Sequence, residues 1–86
     1  MYFVYVLQHS VLKDMYIGRT DNLKRRLHEH NKGLQTATHR ITGEWIIVYT
    51  EIYRNKKDAE QRELRLKDHG RAKQELFKRI KNSFLT

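Results

Sequence analysis

The chain has 86 residues, room for one small domain with one core and one site. Its 18 Lys and Arg against 10 Asp and Glu give a net charge of +8, and there is no Cys. This excludes an acidic solvating tail, a disulfide framework, a thiolate zinc site and a cysteine nucleophile, and it favours a polyanionic partner, most often nucleic acid.

Three Phe, five Tyr and one Trp supply enough apolar material to fold. No apolar run approaches the ~20 residues that span a bilayer. The first seven residues, Met1 to Leu7, lack the basic start and small-residue cleavage site of a signal peptide. A soluble, cytoplasmic chain is therefore expected, folded as a single domain over residues 1–86.

Tyr2–Leu7 is continuously apolar and reads as a strand covered on both faces. His9–Asp14 is a polar turn, and Met15–Arg19 a second short strand, hairpin-paired to the first. Thr20 or Asp21 can cap a helix running to about Lys32, where Gly33 supplies the left-handed stop. Leu34–Gly43 has little periodicity and reads as a basic loop. Trp45–Tyr53 is the longest β-branched and aromatic run, expected as a central or near-central strand. Asn55 or Asp58 then caps a helix to about Asp68, and Gly70 breaks it. A last helix spans Arg71 to about Ser83, with Leu76, Phe77, Ile80 and Phe84 on its apolar side. The expected fold is α+β: a three-stranded antiparallel sheet flanked by helices, in the order β-β-α-β-α-α.

Two helices carry polar residues on faces that should be apolar. In the first, Leu23, Arg26, Leu27 and His30 share one stripe, whereas Lys24, Arg25, His28 and Glu29 account for the solvated side. An inward guanidinium costs several kcal/mol unless it is paired or opens on a cleft (roughly, for an unpaired buried charge). The alternative is a stem that snorkels to water. In the second helix Ala59, Arg62, Glu63 and Leu66 form the same stripe. That favours Glu63 over Glu60 as the inward carboxylate, against a simple i,i+4 ion pair with Lys67. Tyr5 and Tyr16 lie on the two hairpin strands, where ordinary sheet packing competes with a functional role and the register is open.

Together these groups suit phosphodiester hydrolysis. One carboxylate can hold a divalent cation, an arginine can clamp phosphate oxygens, and a phenol can take a proton from water if its pKa of about 10 is lowered. With one inward glutamate, a single-cation mechanism is the economical one.

Phe3-Val4-Tyr5 followed by Tyr16-Ile17-Gly18 resembles the paired motif of the GIY-YIG nuclease superfamily. The run from Gly18 to Asn31 is similar to that family's helix, and the Ala59–Lys67 segment to its glutamate helix. The resemblance covers nearly the whole chain and is closest to small stand-alone bacterial members, related to the nuclease domain of the excision-repair protein UvrC. It implies Tyr5 as general base and Tyr16 as a residue positioning water or phosphate. It further implies Arg26 as the arginine stabilising transition-state charge, His30 as an active-site histidine, and Glu63 as the metal ligand. Phe3 stands where the family name has glycine, and Asn82 is the late asparagine that some members use. Gly18 is expected to permit close approach.

The function so implied is a DNA endonuclease in repair or recombination, using Mg²⁺ or Mn²⁺. Arg19, Lys32, His39 and Arg40 are expected to touch the nucleic-acid backbone. A non-catalytic basic nucleic-acid-binding module is the competing reading, and a protein partner for targeting a third. Convergence of the polar groups on one cleft separates the first from the second.

Overall fold

A computed structural model describes residues 1–68 and 70–86. Strands β1 (Tyr2–His9), β2 (Met15–Thr20) and β3 (Trp45–Tyr53) form one antiparallel sheet in the order β2-β1-β3. Helices α1 (Leu23–Asn31), α2 (Lys56–Lys67) and α3 (Arg71–Arg79) cover it. The element order is the expected one.

β1, not β3, is the central strand. The expectation for β3 rested on its β-branched and aromatic content, which reports fit to a pleated surface and not position in a sheet. Edge placement leaves Ile52 exposed, while β1 is buried from Val4 to Gln8.

Residue alternation along β1 divides two cores. Val4 and Val6 face α2 and α3, packing with Ile17, Ala59, Leu66, Leu76 and Ile80. Tyr5 and Leu7 face α1, packing with Trp45, Tyr16, Leu23, Leu27 and Ile47. A bulge between Val6 and Leu7 shifts the β1–β3 register, turning β3 so that Trp45 and Ile47 join the α1 side. Leu66 is fully buried, and burying such a side chain stabilises the fold by about 1.5–3 kcal/mol.

The ends of α1 and α2 lie within a residue or two of expectation, whereas α3 ends about four residues early. Asn22 caps α1, its side chain accepting from Arg25 N at 3.0 Å; Thr20 instead accepts from Asn22 N at 3.1 Å and shapes the entry. Lys32 closes α1. Gly33, at φ +73°, then bonds back to His30 O while Leu34 N reaches Glu29 O, a paired carbonyl closure that requires the left-handed residue. Asn55 caps α2 through Lys57 N. α3 stops at Arg79, and Lys81–Ser83 forms a separate 3-10 turn. The 34–43 loop is also partly ordered, with a 3-10 turn at Thr36–Thr38. Among the described residues no helix is long and apolar enough to cross a membrane.

Candidate active site

Register decides what the hairpin presents. Tyr5 pairs with Gly18 and Leu7 with Tyr16, so both tyrosines project toward α1. The Tyr5 phenol lies across Gly18, where a Cβ would overlap its ring. This is the close approach that glycine allows. The rings of Tyr5 and Tyr16 are 6.5 Å apart.

The α1 stripe delivers His30 between them. Its ring lies 5.9 Å from Tyr5 and 5.0 Å from Tyr16. Asn31, next in the chain, anchors the helix end by bonding both backbone groups of Trp45 at the sheet edge. The Tyr5 hydroxyl is 2.8 Å from His30 Nε2, and His30 Nδ1 is 2.6 Å from the Thr38 hydroxyl. Thr38 in turn donates to the Gln35 carbonyl at 3.4 Å. With that proton spent, Nδ1–H donates to Thr38, and Nε2 accepts from the phenol. Burial, then the Arg26 charge, lowers the pKa of His30 from its ordinary 6.5. The ring is a neutral acceptor aimed at Tyr5.

Burial raises the Tyr5 pKa well above 10, helped by Tyr16, Glu63 and Glu29 and opposed by Arg26. Tyr5 is thus a neutral phenol on which the charges of Arg26, Glu29 and Glu63 converge. The lowered pKa that a preformed phenolate base needs is not present, and the phenol's hydrogen-bond partner is His30 Nε2.

Arg26 points inward with the leucines, as its spacing predicts, and pairs with Glu29 through Nη1 at 3.2 Å. Glu29 is therefore half-buried and does not belong wholly to the solvated face. The Arg26 Nε is buried without a hydrogen-bond partner among the described residues. An unspent, desolvated donor on a guanidinium is what an incoming phosphate oxygen would satisfy.

Glu63 comes from α2, on the opposite face of the sheet. It meets Arg19 Nε at 3.3 Å and Lys67 Nζ at 3.1 Å. Lys67 also lies 5.5 Å above the Tyr16 ring. Lys67 thus links Glu63 to the Tyr16 ring at the β2 edge. The ion pair with Lys67 and the inward placement are both present; they are not alternatives. Among the described residues no cluster of three or more His, Cys, Asp or Glu exists to cage a metal. Glu63 is the carboxylate that a hard cation of the Mg²⁺ type would share with Arg19 and Lys67, taking its remaining oxygens from water and substrate phosphate.

The other expected contacts divide. Arg19 stands inside the site, as the partner of Glu63. Lys32 and His39 are exposed beyond the end of α1, with His39 packed over Gly33. Arg40 is committed to the scaffold: it pairs with Asp14, donates to the His39 carbonyl at 2.9 Å and stacks 5.2 Å from the Trp45 ring. Asn82 is exposed in the 3-10 turn after α3. Thr38, Glu29 and Lys67 belong to the site and were not read as such from the sequence. Lys67 and Glu29 had a visible signal, the i,i+4 and i,i+3 spacing to Glu63 and Arg26; Thr38 had none.

Comparison with known proteins identifies the family. The family model described as the GIY-YIG catalytic domain matches residues 1–77. A UPF0213 protein of Clostridium perfringens is 38% identical over 67 residues, 78% of this chain and 71% of that protein. A UPF0213 protein of Natronomonas pharaonis is 36% identical over 74 residues, 86% of each chain. One from Oceanobacillus iheyensis is 33% identical over 66 residues, 77% of this chain and 76% of that one. No solved structure matches. The chain belongs to the GIY-YIG family, and that membership supports a nuclease function.

Proposed function

We propose that this chain is a metal-dependent endonuclease that hydrolyses DNA phosphodiester bonds, with Tyr5 as general base, in cytoplasmic DNA repair or recombination. The observation that carries the reading is convergence. Tyr5, Tyr16 and His30 are in ring contact, and the charges of Arg26 and Glu63 act on the same phenol. A module that only binds has no use for a buried phenol–imidazole–hydroxyl relay.

Glu63 would hold Mg²⁺ or Mn²⁺, which when bound neutralises phosphate charge and stabilises the leaving oxygen. Tyr5 takes a proton from the attacking water as its own phenolic proton passes to His30 Nε2. The water oxygen bonds to phosphorus, the bond from phosphorus to the leaving sugar oxygen breaks, and that oxygen takes a proton from solvent water to leave as a hydroxyl. Arg26 spends its free N–H on the developing phosphorane charge, a contact strongest in the transition state. Tyr16 and Lys67 hold the water and the non-bridging oxygens beside Tyr5.

The test is cleavage of labelled single-stranded, duplex and branched DNA with Mg²⁺, Mn²⁺ or EDTA, beside Glu63→Ala. Cutting that needs both the metal and Glu63, with binding kept in the variant, is the expected result. Salt-sensitive binding with no cutting by the wild type in any condition returns the chain to the binding-module reading.

A further inference from the structure

A groove of about 680 Å³ runs along α3, outside the relay described above, with Lys67, Lys73, Phe77, Lys78 and Lys81 on its walls. A smaller cavity of about 180 Å³ shares Lys67, Lys73 and Phe77 with it and reaches Tyr16. The lining is thus continuous from the candidate active site to the chain's last turn. Lys73, Phe77 and Lys78 lie at i, i+4 and i+5 on α3, and Lys81 opens the 3-10 turn that follows it.

None of the ion pairs formed among the described residues engages Lys73, Lys78 or Lys81. The Lys73 ammonium lies 5.6 Å from the Phe77 ring centroid, and Lys73 is exposed, so the charge sits at the groove wall open to solvent. Asp68 is the only carboxylate among the described residues lining the groove. Three unpaired ammonium groups in a row, joined to a phosphate-handling site by a fourth, form a track for repeated negative charge. Their succession along one groove wall suits a backbone and offers no base-edge readout.

Resting on the nuclease reading, we propose that this groove holds the sugar-phosphate backbone of the strand flanking the scissile phosphate, through Lys73, Lys78 and Lys81. The expected backbone contacts thereby shift from the 34–43 loop, where Arg40 is spent on scaffolding, to α3.

The test compares Lys73→Gln/Lys78→Gln/Lys81→Gln with a control of equal charge change at exposed positions elsewhere, Lys24→Gln/Arg54→Gln/Lys57→Gln. All six positions are exposed, so both variants fold, which circular dichroism and Tm check. Binding of a labelled DNA oligonucleotide is measured in EDTA across a salt series. The groove variant is expected to lose about tenfold or more in affinity and to flatten the logarithmic salt slope by roughly 2, and the control to lose far less. Equal losses in the two variants overturn the proposal. Turnover of bis(p-nitrophenyl) phosphate, too small to reach the groove, is expected to be the same in the groove variant and wild type; a matching fall would place these lysines in the chemistry and also overturn it. A wild type that binds through the groove but cuts nothing leaves the track standing and removes the nuclease reading.

Discussion

The Tyr5 hydroxyl is held 2.8 Å from one ring nitrogen of His30, while the Thr38 hydroxyl is held 2.6 Å from the other. Thr38 fixes which nitrogen carries the proton, and therefore, in the proposed mechanism, which nitrogen would receive the phenol proton. Thr38→Val keeps the shape and removes the oxygen. Single-turnover kinetics on DNA should show kcat about tenfold lower with KM unchanged, part of the roughly 100- to 10,000-fold that positioned proton transfer supplies. Loss of the buried hydrogen bond should cost about 1–2 kcal/mol in urea unfolding. Thr38→Ser should restore the rate. An undiminished rate in the valine variant would remove the relay from the mechanism.

Gly18 is held to glycine by the phenol that lies across it, not by its backbone angles, since it is Gly33 and Gly43 that have positive φ. Gly18→Ala should therefore displace Tyr5, costing about 1–3 kcal/mol as overpacking does, and should reduce turnover more than it reduces the folded population. A double-mutant cycle checks the cause: in a Tyr5→Ala background, Gly18→Ala should cost little. Additive costs would mean that the strand backbone, not the phenol, excludes the methyl.

His30 links the site to pH. Its folded pKa is lowered below the ordinary 6.5, first by burial and then by Arg26. Above 6.5 both folded and unfolded chains carry it neutral and it contributes no pH dependence. As pH falls below 6.5 the unfolded chain takes up the proton first, so stability declines toward the folded pKa. Urea unfolding at pH 7.5 and 5.5 should show this loss in the wild type and a smaller one in His30→Gln. In the proposed mechanism the same neutral ring receives the Tyr5 proton, so the acid limb of kcat/KM should lie below 6.5.

The stripes made Arg26, His30 and Glu63 legible because a 3.6-residue period leaves polar groups no way to hide among leucines, and burial of His30 confirms the side it faces. Periodicity of two says only that strands alternate. It did not say that Tyr5 meets Gly18 or that Tyr16 turns to the same face, because a one-residue slip would invert both. Thr38 lies in a loop with no period at all; its place follows from the Gly33 closure and from the Trp45 indole, which donates to the Thr38 carbonyl at 2.8 Å. Arg40 looked like a backbone contact because charge alone was visible, while its partners Asp14 and Trp45 are distant in sequence.

Arg62 and Glu63 are neighbours on one helix stripe, yet the structure gives them separate tasks. Arg62 forks onto Glu51 of β3 at 2.8 and 2.9 Å, and the hydroxyls of Tyr49 and Tyr53 complete that carboxylate's shell. Burial alone would raise the Glu51 pKa, but these bonds, led by Arg62, hold it below its ordinary 4.5. The stability it contributes is present above pH 4.5 and is lost as pH falls through the folded value. Glu51→Gln keeps the shape and removes the charge. It should cost about 1–3 kcal/mol at pH 7, less than removal of a fully buried partner because Arg62 remains partly exposed, and much less at pH 3. Below its melting range the variant should keep kcat within about twofold, since no bond from this cluster reaches Tyr5 or His30; a rate loss as large as that of Glu63→Ala would show instead that the clamp sets the pose of α2 and, through it, of Glu63.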